Sequence, residues 1–394
     1  MERPHNGRYV SISDIGGERA RAFVPDPLPP SPDLELATPI RFRLGEADRA
    51  LGELNAAARL LPEPDLFVYM FVRQEAVLSS QIEGTQSTLD DLLRAEAAEQ
   101  PGAPRDSDVA EVTRYVAAAA RGQVLLAEGW PLTGRLFTEL HGILLRDGRG
   151  HERLPGQYRT SQNWIGGTRP GNATYVPPPA AEVHACMGAL ERFLNQPTSD
   201  LEPLLKAGMA HAMFESIHPF LDGNGRLGRM LVTLSLMRDG VLAMPLLYVS
   251  LFFKLHRATY YELLQRTRTH GDWETWLEFF LEAVAKTARA GVRTAGDLNR
   301  LFDSDRRRIQ THGSRTGSTL RVHEAMQRTP ITSIKGLTAR TGLTAPAVTN
   351  ALQVLESLEV VKELTGRARG REFAYRAYLD TLRQGVQPGA LDAR

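Results

Sequence analysis

Apolar residues recur at helical spacing along most of the chain, and this pattern predicts a mainly α-helical protein. One helix is predicted to start at its N-cap Asp65 and to continue to about Glu83, and Gly84 stands where a glycine commonly ends a helix. The other helices predicted in the first 290 residues cover 45–61, 88–99, 109–128, 133–145, 181–195, 203–217, 226–239, 255–269 and 273–290.

Two segments interrupt this helical pattern. The proline-rich residues 1–40 are predicted to form an extended arm that lies on another surface and contributes no core element. Between 147 and 179 the periodicity fails, and 158–164 with 173–176 predict a short hairpin around the glycines at 166–167. A hairpin above a loop–helix site would suit an extended peptide that docks by strand addition. A plain surface loop is the alternative.

The pattern changes again near residue 318. The preceding segment, 291–315, is polar and rich in arginine, which predicts a helical or flexible connector. After it come predicted helices at 320–328, 333–341 and 345–358, with a turn at Gly342, and predicted strands at 360–364 and 372–378. This order is that of a winged helix-turn-helix. The predicted domains are an N-terminal arm with helices (1–108), a helical core (109–290), the connector (291–315) and the winged helix-turn-helix (316–384).

Charge is distributed unevenly between the two ends of the chain. Residues 301–394 carry 15 lysines and arginines against 9 acidic residues, a net charge of +6, whereas residues 1–300 have a net charge of −5. DNA binding by the C-terminal domain and a purely structural or protein-docking role both stay open, because the candidate recognition helix has few basic residues. The candidate DNA contacts are Thr344, Thr349 and Asn350 on or before that helix, and Arg367, Arg369 and Arg371 in the hairpin.

Cysteine content and hydropathy bear on the compartment. Cys186 is the single cysteine, which excludes an intramolecular disulfide and fits a reducing environment. The sequence contains neither a secretory leader pattern nor an apolar run of about 18 residues. We therefore expect a soluble cytoplasmic protein that does not bind a membrane.

The run from His218 to Arg229 carries the candidate chemistry. Pro219 disfavours helical geometry at His218, so a helix should end there and expose an imidazole that can accept a proton at neutral pH. Asp222 is a hard oxygen ligand of the kind that Mg²⁺ takes together with substrate phosphates. Its neighbours suit an anion, because Gly223, Asn224 and Gly225 tolerate positive φ.

The helix that follows these glycines predicts a phosphate site. Its first N–H groups and its dipole favour an anion. Arg226 and Arg229 lie on one face of its first turn, where cations oppose the dipole, and this cost makes sense if both arginines face a polyphosphate. The alternative is an ordinary helix–loop–helix turn with solvated arginines.

This run resembles, without a gap, the Fic family motif H-P-F-x-[DE]-G-N-G-R-x-x-R. The resemblance implies a Fic-type helical bundle with a small β-hairpin flap, which moves AMP from ATP to a Ser, Thr or Tyr hydroxyl of a protein. It implies that His218 deprotonates the target hydroxyl, that Asp222 holds Mg²⁺ on the α- and β-phosphates, and that Arg229 grips the γ-phosphate. The implied ATP-binding run is Gly223, Asn224, Gly225, Arg226, Leu227, Gly228 and Arg229, of which the first four line the anion hole.

Two further stretches resemble parts of the same family. The family's flap, which contacts nucleotide and target, corresponds to residues 162–166, and a tyrosine pair near the adenine corresponds to 260–261. For the tyrosines the alternative is ordinary helix core. The residues implied are Asn163, Trp164, Ile165 and Gly166 in the flap, and Tyr260 and Tyr261.

An inhibitory motif is also implied upstream. Residues 79–84 fit the family pattern [ST]-x-x-x-E-[GN], with Ser79 first, Glu83 as the acid and Gly84 last. A carboxylate at a helix C-terminus is disfavoured by the dipole and so calls for a partner. The resemblance implies a bidentate pair between Glu83 and Arg229, which leaves ATP in a non-productive pose. The alternative is a solvated Glu83 in an ordinary helix C-terminal turn.

The leading hypothesis is a regulated protein adenylyltransferase with ATP as substrate and Mg²⁺ as cofactor. Its implied partners are a target protein with a reactive hydroxyl, the chain itself through self-modification, and a second copy in a homodimer. Three alternatives stay open. They are removal of AMP by the same site, transfer of another phosphate-bearing group, and a DNA-binding regulator whose Fic domain only senses nucleotide.

Overall fold

The structure is a computed structural model, and it describes residues 6–13, 19–60, 64–97, 107–146, 152–197, 201–313, 316–367 and 370–392. The described residues are mainly helical, which confirms the predicted fold class. No helix among them is both long and apolar enough to cross a membrane.

The helices before residue 313 form one bundle around α7. The residues 204–217 of this helix are all buried, and it packs against α6, α8, α10 and α11. The short helix α9 escaped prediction because six residues are too few to show a helical period. The helices are α1 (Thr38–Leu60), α2 (Pro64–Ile82), α3 (Leu89–Ala97), α4 (Ser107–Ala127), α5 (Gly134–Leu144), α6 (Val183–Asn195), α7 (Pro203–Ile217), α8 (Asn224–Arg238), α9 (Ser250–Leu255), α10 (Arg257–His270) and α11 (Trp273–His312).

The N-terminal arm is a β-hairpin, so the prediction of an extended arm with no core element is wrong for this part. Strands β1 (Gly7–Ser13) and β2 (Arg19–Pro25) pair antiparallel, with Gly7 opposite Pro25. Both faces of β2 are covered in its second half, since the consecutive residues Ala22, Phe23 and Val24 are all buried. The backbone N–H of Phe23 donates to the Val176 carbonyl at 2.9 Å, which joins the arm to the segment predicted as a flap.

The segment expected to connect two domains is a helix. Residues 291–312 continue α11 without a break, which agrees with the helical form of the predicted connector. Its polar composition conceals a buried stripe at Ala295, Leu298, Phe302 and Ile309. A Cβ at Gly291 would lie 3.1 Å from Leu54, so α1 and α11 pack closely at that point.

The C-terminal residues form three helices, a three-stranded antiparallel sheet of order β3-β5-β4, and two further helices. The predicted strand 372–378 is too long, because Tyr375 and Tyr378 turn towards Phe302 at helical spacing and α15 begins at Arg376. Arg369 lies outside the described residues, and the four domain boundaries stay predictions. The elements are α12 (Thr316–Arg328), β3 (Ile331–Ser333), α13 (Ile334–Thr341), α14 (Ala345–Ser357), β4 (Lys362–Glu363), β5 (Glu372–Ala374), α15 (Arg376–Gln384) and α16 (Pro388–Asp392).

Candidate active site

The loop between α7 and α8 begins with a backbone reversal at His218. This residue ends α7 with φ of 48°, a left-handed conformation that is uncommon outside glycine. Buried Arg159 holds the reversal, since its Nε donates to the His218 carbonyl at 2.9 Å and its backbone N–H donates to the Pro219 carbonyl at 2.9 Å. The helix end expected at Pro219 is therefore present, and a distant arginine fixes its geometry.

Phe220 anchors the middle of the loop in the core. The Asn224 side chain accepts from the Phe220 N–H at 2.9 Å and donates to the Phe220 carbonyl at 2.8 Å. The Asn163 amide donates to the same carbonyl at 2.9 Å. The ring of Phe220 stacks on His141 with centroids 3.8 Å apart. The Asn224 side chain therefore holds the loop closed, and only its backbone is free for the anion-binding role that was expected of it.

His141 positions the main chain at Asp222. The Gly156 N–H donates to Nδ1 at 2.9 Å, so Nδ1 is an acceptor, and the protonated Nε2 donates to the Asp222 carbonyl at 3.1 Å. Burial lowers the pKa of His141 to about 4, against the opposing effect of that carbonyl, and so the ring is neutral. No motif in the sequence marks this histidine, because its partners are distant along the chain.

Arg226 does not share a phosphate-facing surface with Arg229, which corrects the prediction for its side chain. Its guanidinium is buried and donates through Nη1 to Glu111 at 2.5 Å and through Nη2 to Asp222 at 3.2 Å. Glu111 lies on α4, and sequence analysis missed it. The α4 carboxylate therefore draws the Arg226 side chain away from the site and leaves its backbone N–H at the start of α8.

Arg229 binds the end of α2 and the residue that follows it through two of its guanidinium nitrogens. Its Nε donates to the Ser79 hydroxyl at 2.9 Å, and its Nη2 donates to the Ser79 carbonyl at 2.9 Å and to Glu83 Oε1 at 2.7 Å. The predicted partners are therefore correct. The predicted bidentate geometry is wrong, because a single hydrogen bond, from Nη2 to Oε1, joins Arg229 to Glu83.

The contact between Glu83 and Arg229 joins an ionised pair. Burial acts to raise the pKa of Glu83, but the charge of Arg229 and its hydrogen bond outweigh burial, so the pKa lies below its ordinary value. Gly225 packs against this pair, since a Cβ there would overlap the Glu83 carboxylate and lie 2.9 Å from Arg229 Nη1. A side chain at residue 225 would therefore displace the Glu83 carboxylate or the Arg229 guanidinium from this contact.

His218 is a neutral imidazole beside this pair. Burial, together with the nearby charges of Arg268 and Arg159, lowers the pKa of His218 to about 3. Its Nδ1 is buried and has no hydrogen-bond partner among the described residues. A neutral ring with an unengaged nitrogen is the form in which a histidine accepts a proton.

Two models of known protein families match successive parts of this chain. Residues 42–123 match the family model described as Fic/DOC family N-terminal, and residues 131–236 match the one described as Fic/DOC family. Over these residues the chain belongs to the Fic/DOC family. The recognition made from the Fic motif is confirmed.

Curated Fic relatives match over part of their length. The protein adenylyltransferase Fic of Drosophila ananassae is 32% identical over 174 residues, which are 44% of this chain and 32% of that protein. The protein of the same name from Drosophila melanogaster is 32% identical over 144 residues, 36% of this chain and 26% of that protein. The chain thus spans about a third or less of the length of these curated relatives.

Solved structures share the Fic fold. A Fic family protein from Desulfovibrio desulfuricans G20 superposes with a TM-score of 0.55 at 21% identity, over 88% of this chain and 98% of that one. A Fic domain containing signaling protein from Bacteroides thetaiotaomicron gives a TM-score of 0.50 at 19% identity, over 66% of this chain and 97% of that one. At these identities the likeness concerns the fold alone.

The Fic flap segment is less regular than predicted. Ile165 and Tyr175 exchange two backbone hydrogen bonds of 2.8 and 3.1 Å, and they form an isolated antiparallel bridge in place of the expected strands 158–164 and 173–176. Gly166 and Gly167 have φ of 70° and 69°, which explains the glycines at this turn. Trp164 is 39% exposed, so a large apolar ring faces outward beside the Fic motif.

The two tyrosines expected near the adenine differ in accessibility. Tyr260 is buried, and its hydroxyl donates to His211 Nε2 at 2.9 Å while His211 Nδ1 donates to the Gly228 carbonyl at 2.8 Å. Tyr261 is 40% exposed and lies beside the Arg257 guanidinium. Tyr260 therefore packs behind α8 as ordinary core, and the ring of Tyr261 is the accessible one.

A second arginine that sequence analysis missed supports the end of α7. Arg268 Nε donates to the Ser216 hydroxyl at 3.1 Å, and its Nη2 donates to the Glu215 carbonyl at 3.1 Å. Its guanidinium lies 3.9 Å from the ring centre of Tyr175 in the flap segment. Arg268 thus connects the end of α7, where the loop to α8 (the Fic loop) begins, with the flap segment. The spacing of residues along the chain does not reveal this role.

Asp222 is the candidate metal ligand of this Fic site. Its carboxylate is 39% exposed, and Oδ1 accepts from the Gly223 N–H at 2.6 Å and from Arg226. The described residues contain no cluster of three or more His, Cys, Asp or Glu side chains that could hold a metal ion. A single accessible carboxylate fits Mg²⁺, which commonly takes one or two carboxylates and completes its shell with phosphates and water.

Proposed function

We propose that this chain is a protein adenylyltransferase that transfers AMP from ATP to a Ser, Thr or Tyr hydroxyl of a protein. The observation that carries the proposal is the placement of neutral His218 and buried Arg229 on either side of the start of α8. The first N–H groups of a helix have no intrahelical partner, so this helix start is suited to phosphate. The names of the curated Fic relatives agree with this activity.

The proposed reaction is an in-line displacement at the α-phosphorus of ATP. The target hydroxyl gives its proton to His218, the oxygen–phosphorus bond forms, and the bond to the β-phosphate breaks so that pyrophosphate leaves. Arg159 and Arg268 hold the backbone that presents His218. The N–H groups at Gly225 and Arg226 and the Arg229 guanidinium would hold the phosphates in place.

Asp222 would hold Mg²⁺ on the α- and β-phosphates. When bound, the ion would neutralise phosphate charge during the transfer. The carboxylate is accessible and lies between the backbone of Gly223 and the guanidinium of Arg226, which fixes its orientation. This chain's contribution is therefore one oriented hard oxygen ligand.

We further propose that Glu83 inhibits the reaction. While Nε and Nη2 of Arg229 serve Ser79 and Glu83, those two donors would be denied to a γ-phosphate. Nucleotide bound in that state would lack its terminal phosphate contact, so its α-phosphorus would be misaligned for attack. Because one charge-assisted hydrogen bond contributes about 1.5–3 kcal/mol, the restraint is of a size that a partner or a ligand can overcome.

The proposed partners follow from the exposed parts of the site. A target protein, a second copy or this chain itself would present a hydroxyl beside the flap, where Trp164 is accessible. The single cysteine is the reason to propose a reducing compartment such as the cytoplasm.

DNA binding by the C-terminal domain is supported more weakly. The Thr344 hydroxyl accepts from the Ala347 N–H as a helix cap, and the Thr349 hydroxyl donates to the Ala345 carbonyl, so both side chains are engaged within α14. Titration of duplex DNA with the full chain at several salt concentrations tests it. Salt-dependent binding that weakens in an Arg367→Ala/Arg371→Ala variant would support a DNA interface.

Labelled ATP tests the proposed reaction against its alternatives. The Glu83→Gly variant, Mg²⁺ and a cell lysate are incubated with ATP that carries the label on either the α- or the γ-phosphate. Adenylyl transfer leaves only the α-label on protein, whereas phosphoryl transfer leaves the γ-label. Neither label on protein would favour the nucleotide-sensing regulator. Loss of α-label from isolated product on adding the wild-type chain would favour removal of AMP.

A further inference from the structure

A buried carboxyl group lies one turn before His218. Glu215 is 6% exposed, and its Oε1 has no hydrogen-bond partner among the described residues. Burying a carboxyl oxygen without a partner is costly, so such an atom calls for an explanation. None of the roles proposed above for the site uses this side chain.

Glu215 reaches the backbone of α8 directly beside Arg229. A Cβ at Gly228 would lie only 2.6 Å from Glu215 Oε1 and 3.2 Å from Phe214, so residue 228 must be small for the carboxyl group to fit. The same Gly228 contacts neutral His211. The carboxyl group therefore sits against the peptide that immediately precedes Arg229.

The groups that face Glu215 come from three neighbouring helices and from α7 itself. Arg229 approaches from α8, Glu83 from α2, and Arg268 and Tyr260 from α10, while His211 lies on α7. Arg268 is committed to the Ser216 hydroxyl, the Glu215 backbone carbonyl and the Tyr175 ring. Arg229 is therefore the cation for which the two carboxylates compete.

Because both carboxyl groups interact with Arg229, the pKa of Glu215 depends on the charge of Glu83. Burial raises the pKa of Glu215 to about 7, Arg229 and Arg268 act to lower it, and the charge of Glu83 acts to raise it. With Glu83 ionised against Arg229, Glu215 keeps its proton up to about neutral pH. Removing the Glu83 charge takes away one of the two influences that hold the proton on Glu215.

We propose that Glu215 is a second counter-ion of Arg229, which becomes negatively charged when Glu83 leaves and holds the guanidinium in place for a phosphate. The carboxyl O–H bond breaks, its proton passes to solvent, and no other covalent bond changes. Without such a group, release of Glu83 would leave a buried arginine charge uncompensated, which is strongly destabilising. Glu215 is thus a positioning residue that acts through Arg229. The inference takes its functional meaning from the proposed function, but its test involves no transfer reaction.

The test is the Glu215→Gln substitution in two backgrounds, wild type and Glu83→Gln, with thermal unfolding followed from pH 5.5 to 8. In the wild type, a carboxyl pKa raised to about 7 means that the folded state holds a proton that the unfolded state has lost. Stability linked to Glu215 therefore falls as the pH rises through this window. Glu215→Gln removes that loss, so the Tm of the variant minus the Tm of the wild type increases as the pH rises.

In the Glu83→Gln background the outcome is expected to differ. There the Glu215 pKa is lower, because the Glu83 charge is gone although burial still raises it, so the Tm difference caused by Glu215→Gln changes less between pH 5.5 and 8 than in the wild type. At pH 8 this substitution should lower the Tm by about 2 °C or more. The same pH dependence of the Tm difference in both backgrounds would overturn the inference.

Two further variants separate charge from shape. Glu215→Asp in the Glu83→Gln background keeps the charge and should retain most of the Tm that Glu215→Gln loses at pH 8. An equal loss in both would mean that only shape matters, and would refute the counter-ion role. The matched control is Glu75→Gln. Glu75 is another buried carboxyl group with a pKa raised by burial to about 7, and the charge of Arg229 acts to lower that pKa as well. Because Ser250 occupies both oxygens of Glu75, its effect on Tm should depend on residue 83 less than that of Glu215 does.

Discussion

The Glu83 carboxylate lies 2.7 Å from Nη2 of Arg229, although the two residues are 146 positions apart in the chain. The contact joins the residue that follows α2 to the second turn of α8, and Gly225 packs against it without room for a side chain. Release of this carboxylate would free Nη2 of Arg229 for a phosphate, as the proposed function requires. The proposed regulation depends on this release.

Ser79→Ala is expected to raise the rate of AMP transfer by a smaller factor than Glu83→Gly. The Ser79 hydroxyl accepts from Arg229 Nε at 2.9 Å, whereas the Ser79 carbonyl and Glu83 would still bind Nη2. The loss of one hydrogen bond to a charged group corresponds to roughly tenfold, whereas Glu83→Gly removes a hydrogen bond together with the opposite charge and should have the larger effect. Initial rates of α-label incorporation measure the effect.

The control for this substitution is its neighbour Ser80. Its hydroxyl is fully buried and has no hydrogen-bond partner among the described residues, so Ser80→Ala makes the same chemical change without touching Arg229. If Ser80→Ala and Ser79→Ala raise the rate equally, then loosening of α2, and not release of Arg229, is the cause.

His218→Ala in the Glu83→Gly background is expected to abolish transfer and to leave ATP affinity nearly unchanged. Loss of a general base costs roughly 10²–10⁴ in rate, while the proposed phosphate ligands lie on α8. Calorimetric titration with ATP and Mg²⁺ gives the affinity, and α-label incorporation gives the rate. A His218→Ala variant that still transfers AMP would rule out the assignment of this residue as the base.

For the Glu83→Gly variant, kcat/KM for ATP is expected to show no fall caused by protonation of a histidine between pH 8 and about 5.5. Burial and the charges of Arg268 and Arg159 lower the pKa of His218 to about 3, and removing Glu83 takes away a charge that raises it. The imidazole thus stays neutral, and able to accept a proton, from pH 8 down to about 5.5. A fall in kcat/KM for ATP near the ordinary histidine pKa of about 6.5 would contradict this environment.

Glu111→Gln is expected to lower the free energy of unfolding by about 3 kcal/mol, because it leaves the buried Arg226 charge without its strongest partner. Urea denaturation measures the change. Glu139→Gln is the matched control, since Glu139 pairs with Arg121 across α4 and α5 at a partly exposed site and should contribute about 1 kcal/mol or less. Similar losses in both variants would show that the Arg226 pair does not behave as a buried one.

The parts of the site that could be predicted from sequence are those in which local spacing decides the geometry. Pro219 ends α7, Gly223 adopts positive φ, and Ser79 and Glu83 lie one turn apart so that both reach the same guanidinium. Each of these follows from a few adjacent residues. The identity of the central partners, Glu83 and Arg229, came from the family resemblance.

The residues that sequence analysis missed act across long stretches of chain. Glu111, His141, Arg159 and Arg268 reach the Fic loop from α4, α5, the flap region and α10, and only the packing of those elements brings them together. The prediction for the arm was wrong because it was based on the five prolines between positions 25 and 32. The alternation of small and charged residues along β2, which indicates a strand, was not considered.

The rate of α-label incorporation by Glu83→Gly, compared with wild type, tests the central claim most directly. Glu128→Gly is the matched control, because Glu128 also precedes a glycine just after a helix end but is exposed and pairs with Arg121, not with Arg229. We expect Glu83→Gly to exceed wild type by about tenfold or more, from the loss of one charge-assisted contact. Glu128→Gly should match wild type. Equal rates for Glu83→Gly and wild type would contradict the claim that Glu83 restrains Arg229.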